Sequence, residues 1–141
     1  MSVDLPAGYR PSKDEPFMNA KQREYFRRKL LQWRDELLEE YAGTRQQLEA
    51  NERVGSDYAD LASSEADRSL ELRTRDRERK LLKKIDEALE RIADGTYGYC
   101  AETGQPIGLA RLEARPIASL SIEAQERHER REAQMRREDE D

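Results

Sequence analysis

The sequence has one cysteine, Cys100, and one histidine, His128, among 141 residues. A lone thiol excludes an internal disulfide and suits a reducing compartment. No stretch approaches the roughly 20 apolar residues of a membrane span. The opening residues Met1-Ser2-Val3-Asp4-Leu5 lack the basic and apolar regions of a signal peptide, so a cytoplasmic location is expected. A net positive charge is also lacking. The net charge of −5 gives little bulk attraction to nucleic acid, and no direct sequence-specific DNA binding is expected. There is no phosphate-cradling glycine loop and no Ser/His/Asp or Cys/His arrangement, so the chain reads as non-enzymatic. Apolar residues make up only 35% and charged residues 40%, against roughly 45–50% and 25% in globular domains. Such a chain is either largely disordered or a long helix with one narrow apolar stripe.

Periodicity decides for helix. From Asn19 onward, Phe26, Leu30, Trp33, Leu37, Tyr41, Thr44 and Leu48 follow at steps of three and four, the spacing of one helix face. Asn19 is a candidate N-cap, with Gln22 three positions on as in a capping box. Residues 51–58 break the pattern and contain Gly55, so they read as a turn. A second helix is expected from about Asp57 to Ala93. Its stripe is Leu81/Leu82, Ile85, Ala88/Leu89 and Ile92, continued upstream by Leu70, Ala66 and Ala62, with Gly95 as its terminator. Two long amphipathic helices joined by a short turn bury their stripes on each other, which predicts an antiparallel coiled-coil hairpin. The fold class is therefore mainly α: a hairpin on a small globular module, with a C-terminal helix.

The expected divisions are an N-terminal segment over 1–18, the hairpin over 19–94 with its tip near 51–62, a module over 95–120, and a last helix over 121–141. Pro6, Gly8, Pro11 and Pro16 keep the first segment out of regular helix, and Tyr9 and Phe17 are its means of packing on the module. The module is rich in turns, with Gly95, Gly98, Gly104, Gly108, Pro106 and Pro116. Tyr97, Tyr99, Ile107, Leu109, Leu112, Ile117, Leu120 and Ile122 can supply a small apolar core.

Two charge clusters have a structural and a functional reading each. Around the turn, Glu49, Glu52, Asp57, Asp60, Glu65 and Asp67 face Arg53 alone. Asp57 makes a fair N-cap, and acids in a first turn favour the macrodipole. Alternatively, these carboxylates meet a cation or basic surface inside a partner. From Glu71 to Lys84 there are seven basic and three acidic residues. Such a run is usually a solvated helix face; its functional reading is a contact to a phosphate-bearing ligand or an acidic protein surface.

The pairs Cys100-x₂-Thr103 and Ser121-x₂-Ala124 are separated by 17 residues. A zinc ribbon of that spacing would hold thiolates at all four positions. Here Cys100 is the one competent thiolate, His128 lies several residues past the fourth position, and one thiolate cannot hold a structural zinc. No cofactor, and no zinc, is expected. Cys100 reads as an inert remnant.

Across nearly its whole length the chain resembles the DksA family (DksA/TraR type) of bacterial transcription regulators. The resemblance rests on Tyr9-Arg10-Pro11, Phe17-Met18-Asn19, Tyr25-Phe26-Arg27, Asp57-x₂-Asp60-x-Ala62, Ser69-Leu70-Glu71-Leu72-Arg73 and Arg75-Asp76-Arg77-Glu78-Arg79-Lys80. Tyr97-Gly98-Tyr99-Cys100 and Arg111-Leu112-Glu113-Ala114-Arg115-Pro116 extend it through the module. The resemblance implies a protein that inserts its coiled coil through the secondary channel of RNA polymerase. It would destabilise open promoter complexes, repress ribosomal RNA promoters and activate some biosynthetic ones, amplified by the alarmone (p)ppGpp bound between the factor and the channel rim. Carried over by position, Asp57, Asp60 and Ala62 are the tip motif, and Arg73 and Arg77 are the rim contacts. Lys84 and Arg115 match the alarmone site, where Gln125 replaces a family lysine. Cys100, Thr103, Ser121 and Ala124 place the chain with the zinc-independent branch, whose finger is degenerate.

Two rival readings share the hairpin. A Gre-type transcript-cleavage factor also carries tip acids but adds a β-rich C-terminal domain. A purely structural coiled coil would dimerise, whereas a hairpin that pairs internally is expected to be a monomer.

Overall fold

A computed structural model describes residues 3–54 and 58–140, giving the backbone alone at 44, 47, 48, 51–54 and 58–64. Four helices follow in order: α1 (Ala20–Val54), α2 (Tyr58–Asp94), α3 (Leu109–Ala114) and α4 (Ile122–Glu140). The mainly α expectation holds. Two compact units divide the chain, one of residues 31–87 and the other of residues 1–30 and 88–141.

In the first unit α1 and α2 run antiparallel. Arg34 pairs with Asp86 at 2.9 Å, and further along α1 Tyr41 meets Arg75, whose guanidinium lies 4.0 Å from the ring centroid and donates to the Tyr41 carbonyl at 3.4 Å. The partner number falls as the α1 number rises, which is the signature of a hairpin. Leu37 and Ile85 are buried between the strips of charge, as their spacing requires. The upstream continuation of the α2 stripe fails at Leu70 and Ala66, while the side chain of Ala62 lies outside the described residues. Leu70 is 60% exposed and Ala66 is exposed, while Glu78 is buried. Positions 71, 75 and 78 face α1 here instead, so the apolar stripe gives way to the aliphatic stems of charged side chains. Helix α1 also runs on through Val54 and α2 begins at Tyr58, so 51–54 and 58 are helical where the sequence pattern suggested a turn; positions 55–57 lie outside the described residues.

The second unit is built around the start of α1. Asn19 caps it, its Oδ1 accepting from the Gln22 amide at 2.8 Å. Gln22 does not reach back to Asn19 as in a capping box; its Oε1 accepts from the Met18 amide at 2.7 Å and its Nε2 donates to the Ser12 carbonyl at 3.3 Å. This fully buried amide thereby holds the N-terminal segment to the helix. Aromatic edges complete the attachment, Tyr9 on Tyr25 and Phe17 on Tyr99. The core comprises Met18, Phe26, Leu30, Ala88, Tyr97, Cys100, Leu112 and Ala124. Ile122, expected there, is 52% exposed because Ala124 is the residue that α4 turns inward. Gly95 ends α2 at φ 87°, with the Thr96 amide bonded to the Arg91 carbonyl at 2.9 Å, the bond of a Schellman terminus. Ser121 caps α4, its Oγ accepting from the Ala124 amide at 3.2 Å.

Candidate functional site

The degenerate finger positions lie in the second unit. Cys100 starts a tight loop in which the Gly104 amide donates to the Cys100 carbonyl and the Cys100 amide to the Gln105 carbonyl, both at 2.8 Å. The Ala101 amide bonds the Ser119 carbonyl at 2.8 Å, which brings the approach to α4 alongside. Cys100 is buried, and burial alone would raise its thiol pKa. The Thr103 hydroxyl and the backbone amides of Ser121, Thr103 and Glu102 outweigh burial by hydrogen bonding to sulfur, bringing the pKa down to about 6. Three of the four positions, Cys100, Thr103 and Ser121, therefore meet at one sulfur. Ala124 follows a turn later, fully buried.

Zinc would need four N, O or S donors around it. Among the described residues no group of three or more His, Cys, Asp and Glu is placed to hold a metal ion. At this site Thr103 and the amides already occupy the sulfur, and Ser121 Oγ is engaged as a cap. The residues present do not fit a tetrahedral zinc centre.

A second link between the loop and α4 was not legible in the sequence. His128 Nε2 meets Glu102 Oε1, and Arg127 reaches the other carboxylate oxygen at 3.8 Å. The partners are separated by 26 positions in a chain full of charges, so no periodic signal marks them.

The remaining predicted residues are distributed along the helices. Asp57 lies outside the described residues; Asp60 and Ala62 are in the opening turns of α2, with only their backbone described. Arg73 and Arg77 are exposed on α2, and Arg73 Nε reaches the Ser69 carbonyl at 3.5 Å. Lys84 is exposed and belongs to the hairpin unit. Arg115 and Gln125 belong to the other unit, Arg115 exposed at the end of α3 and Gln125 half-buried on α4, donating to Glu129 at 3.2 Å.

Comparison with known proteins bears on this arrangement. A model of the N-terminal domain of DnaK suppressor protein DksA matches residues 22–92, and one of the prokaryotic dksA/traR C4-type zinc finger matches residues 95–130. The chain belongs to the DksA family. The RNA polymerase-binding transcription factor DksA of Caulobacter vibrioides is 65% identical to it over 88% of this chain and 87% of its own. That of Escherichia coli K12 is 42% identical, covering 96% and 91%. Among solved structures, transcription factor DksA2 from Pseudomonas aeruginosa superposes with a TM-score of 0.78 at 54% identity, over 83% of this chain and 90% of that one. The DksA relatives are transcription factors. The match to a four-cysteine finger over 95–130 coincides with a segment that has one cysteine here.

Proposed function

We propose that this DksA-family chain binds RNA polymerase through its secondary channel, destabilises open promoter complexes and potentiates (p)ppGpp control of ribosomal RNA and biosynthetic promoters. The observation that carries the reading is its 65% identity, over 88% of its length, to an RNA polymerase-binding transcription factor. Asp57, Asp60 and Ala62 are the tip residues that approach the polymerase active-site region. Arg73 and Arg77 contact the channel rim. Lys84 and Arg115 bind the phosphates of (p)ppGpp, and Gln125 supplies a neutral amide where the family has a lysine. The protein is a monomer that works in the cytoplasm, regulates without catalysing a reaction, and needs no zinc. Among the described residues there is no helix long and apolar enough to cross a membrane.

The Gre-type alternative is less well supported. After the hairpin, the described residues form two helices and a single isolated bridge between Tyr99 and Pro106, not a β-rich domain. A structural dimer is disfavoured by the pairing of α1 with α2 inside one chain.

The test is multi-round transcription from a ribosomal RNA promoter with and without (p)ppGpp. Inhibition that deepens with the alarmone is expected. Lys84→Ala and Arg115→Ala should weaken that extra effect more than the basal one, since each removes a charge-assisted contact to phosphate. No inhibition by the wild type would overturn the reading, and RNA cleavage in stalled complexes would favour the alternative.

A further inference from the structure

A metal held by cysteine pairs at 100/103 and 121/124 would cross-link the loop to the start of α4. In this chain the same two stretches are joined three times by protein groups alone. The Ala101 amide donates to the Ser119 carbonyl at 2.8 Å. The Ser121 amide donates to the Cys100 sulfur. One turn further on, Glu102 takes His128 on Oε1 and Arg127 on Oε2, the latter at 3.8 Å. The carboxylate accepts from the ring N–H, so this link does not need a charged imidazole.

The first two links act before α4 begins at Ile122, and the buried residue of the helix itself is Ala124. Its single methyl fixes depth better than rotation. The third link fixes rotation. Arg127 and His128 are adjacent in sequence and project about 100° apart, so one carboxylate gripped by both admits little turning of the helix about its axis. The contact is at the surface, where an ion pair adds little to overall stability. What two grips on one carboxylate supply is direction.

Gln125 projects about 60° from His128 on the same helix. Arg115 lies at the far end of the strap that leads into α4, and that end is tied down separately. The Ala118 amide donates to the Arg115 carbonyl at 3.0 Å, and Arg111 Nε to the Leu120 carbonyl at 3.0 Å. The rotation of α4 therefore sets where Gln125 stands relative to Arg115. A lysine would tolerate a range of rotations, because an ammonium attracts phosphate as a point charge. A neutral amide does not, because its hydrogen bond weakens steeply off line. Glu129 engages one N–H of Gln125 at 3.2 Å, and the direction of the other follows the helix.

We propose that Glu102 is a positioning residue for the alarmone response: by gripping Arg127 and His128 it sets the rotation of α4 and so aims Gln125 beside Arg115. The proposal rests on the reading above of Arg115 and Gln125 as alarmone-site residues. Glu102, Arg127 and His128 do not themselves touch the ligand.

The experiment is transcription from a ribosomal RNA promoter with the full-length chain, titrated with (p)ppGpp. It compares the wild type, Glu102→Ala, His128→Glu and the exchange variant Glu102→His/His128→Glu. Without (p)ppGpp all four should inhibit alike. Each single variant should need at least about fivefold more (p)ppGpp for half of its effect, the lower end of ordinary coupling between sites. The exchange variant should recover most of the response, since its hydrogen bond crosses in the opposite sense. In a Gln125→Ala background, Glu102→Ala should cost nothing further. Parallel loss of basal and alarmone effects would make Glu102 merely structural and overturn the proposal. So would an unchanged half-effect concentration, a failed exchange, or a further loss in the Gln125→Ala background. If the wild type itself shows no (p)ppGpp effect, the alarmone reading falls and takes this one with it; with that effect present, the variants judge the proposal alone.

Discussion

The Lys29 ammonium lies 2.6 Å from Oε2 of Glu113 and 3.1 Å from the Glu113 carbonyl, joining two residues 84 positions apart. The contact ties α1 to the end of α3 within one unit. Burial would raise the Glu113 pKa, but the hydrogen bonds from Lys29 and Tyr25 prevail and hold it below the ordinary carboxylate range. A carboxylate depressed in the folded state adds stability above its unfolded pKa and loses it as pH falls through the folded one. Lys29→Met should lower stability at pH 7 by about 1 kcal/mol, since both side chains are over a third exposed and solvent screens the pair. The difference from wild type should shrink in thermal melts carried below pH 4. An unchanged difference at low pH would mean Lys29 acts by packing alone.

Cys100 has the same sign in a higher window. Its pKa of about 6 lies below the free-thiol value near 8.5, so its contribution grows as pH rises from about 6 to about 8.5. Thiolate absorbance of the native protein should appear around pH 6, and Cys100→Ser should flatten the rise of stability across that window. The purified protein should carry no stoichiometric zinc and melt identically in chelator. About one zinc per chain by elemental analysis would reverse this view of the site.

Gly43 sits inside α1, exposed, with nothing within 4 Å of where a Cβ would stand. Gly43→Ala should therefore stabilise the hairpin by roughly 0.5–1 kcal/mol, by cutting the freedom of the unfolded chain and raising helix propensity. Hydrogen exchange in α1 should slow. If regulation weakens as stability rises, flexibility at this point is used by the protein.

Asp57→Asn and Asp60→Asn should abolish regulation while leaving polymerase binding nearly intact. Asn keeps the shape of Asp and still caps a helix, so stability should change by under about 1 kcal/mol. It cannot bring negative charge to the tip. Binding by competition and open-complex lifetime, measured together, separate an effector from an anchor: parallel loss of both would make the tip an anchor, and normal regulation would reduce the acids to caps.

The helices were legible because Phe26, Leu30 and Leu37 recur at helical steps, and their ends because Asn19, Gly95 and Ser121 have local chemistry that acts within four residues. Leu70 misled because a leucine at the right spacing counts toward a stripe in sequence, whereas the helix pair at that level excludes it in favour of Arg75 stacked on Tyr41. The short α3 has no periodicity to announce it. Around Cys100 the sequence shows the missing ligands, but the amides that replace them belong to the backbone and leave no trace in residue identity. The Glu102–His128 link depends on how a loop folds back on α4, which local pattern does not encode.

Gly98, at φ 91°, leaves no room for a side chain: a Cβ there would come 2.9 Å from Met18 Cγ and 3.3 Å from Phe17 Cζ. Met18 is itself pinned at φ 55°, in the region few side chains adopt. In a mutational screen for regulatory variants, substitutions at Gly98 will therefore score among the most damaging through packing alone. Their hallmark will be low cellular abundance and eviction of the N-terminal segment, with protease sensitivity ahead of α1, and they belong in a different class from variants that reach normal levels and fail at the promoter.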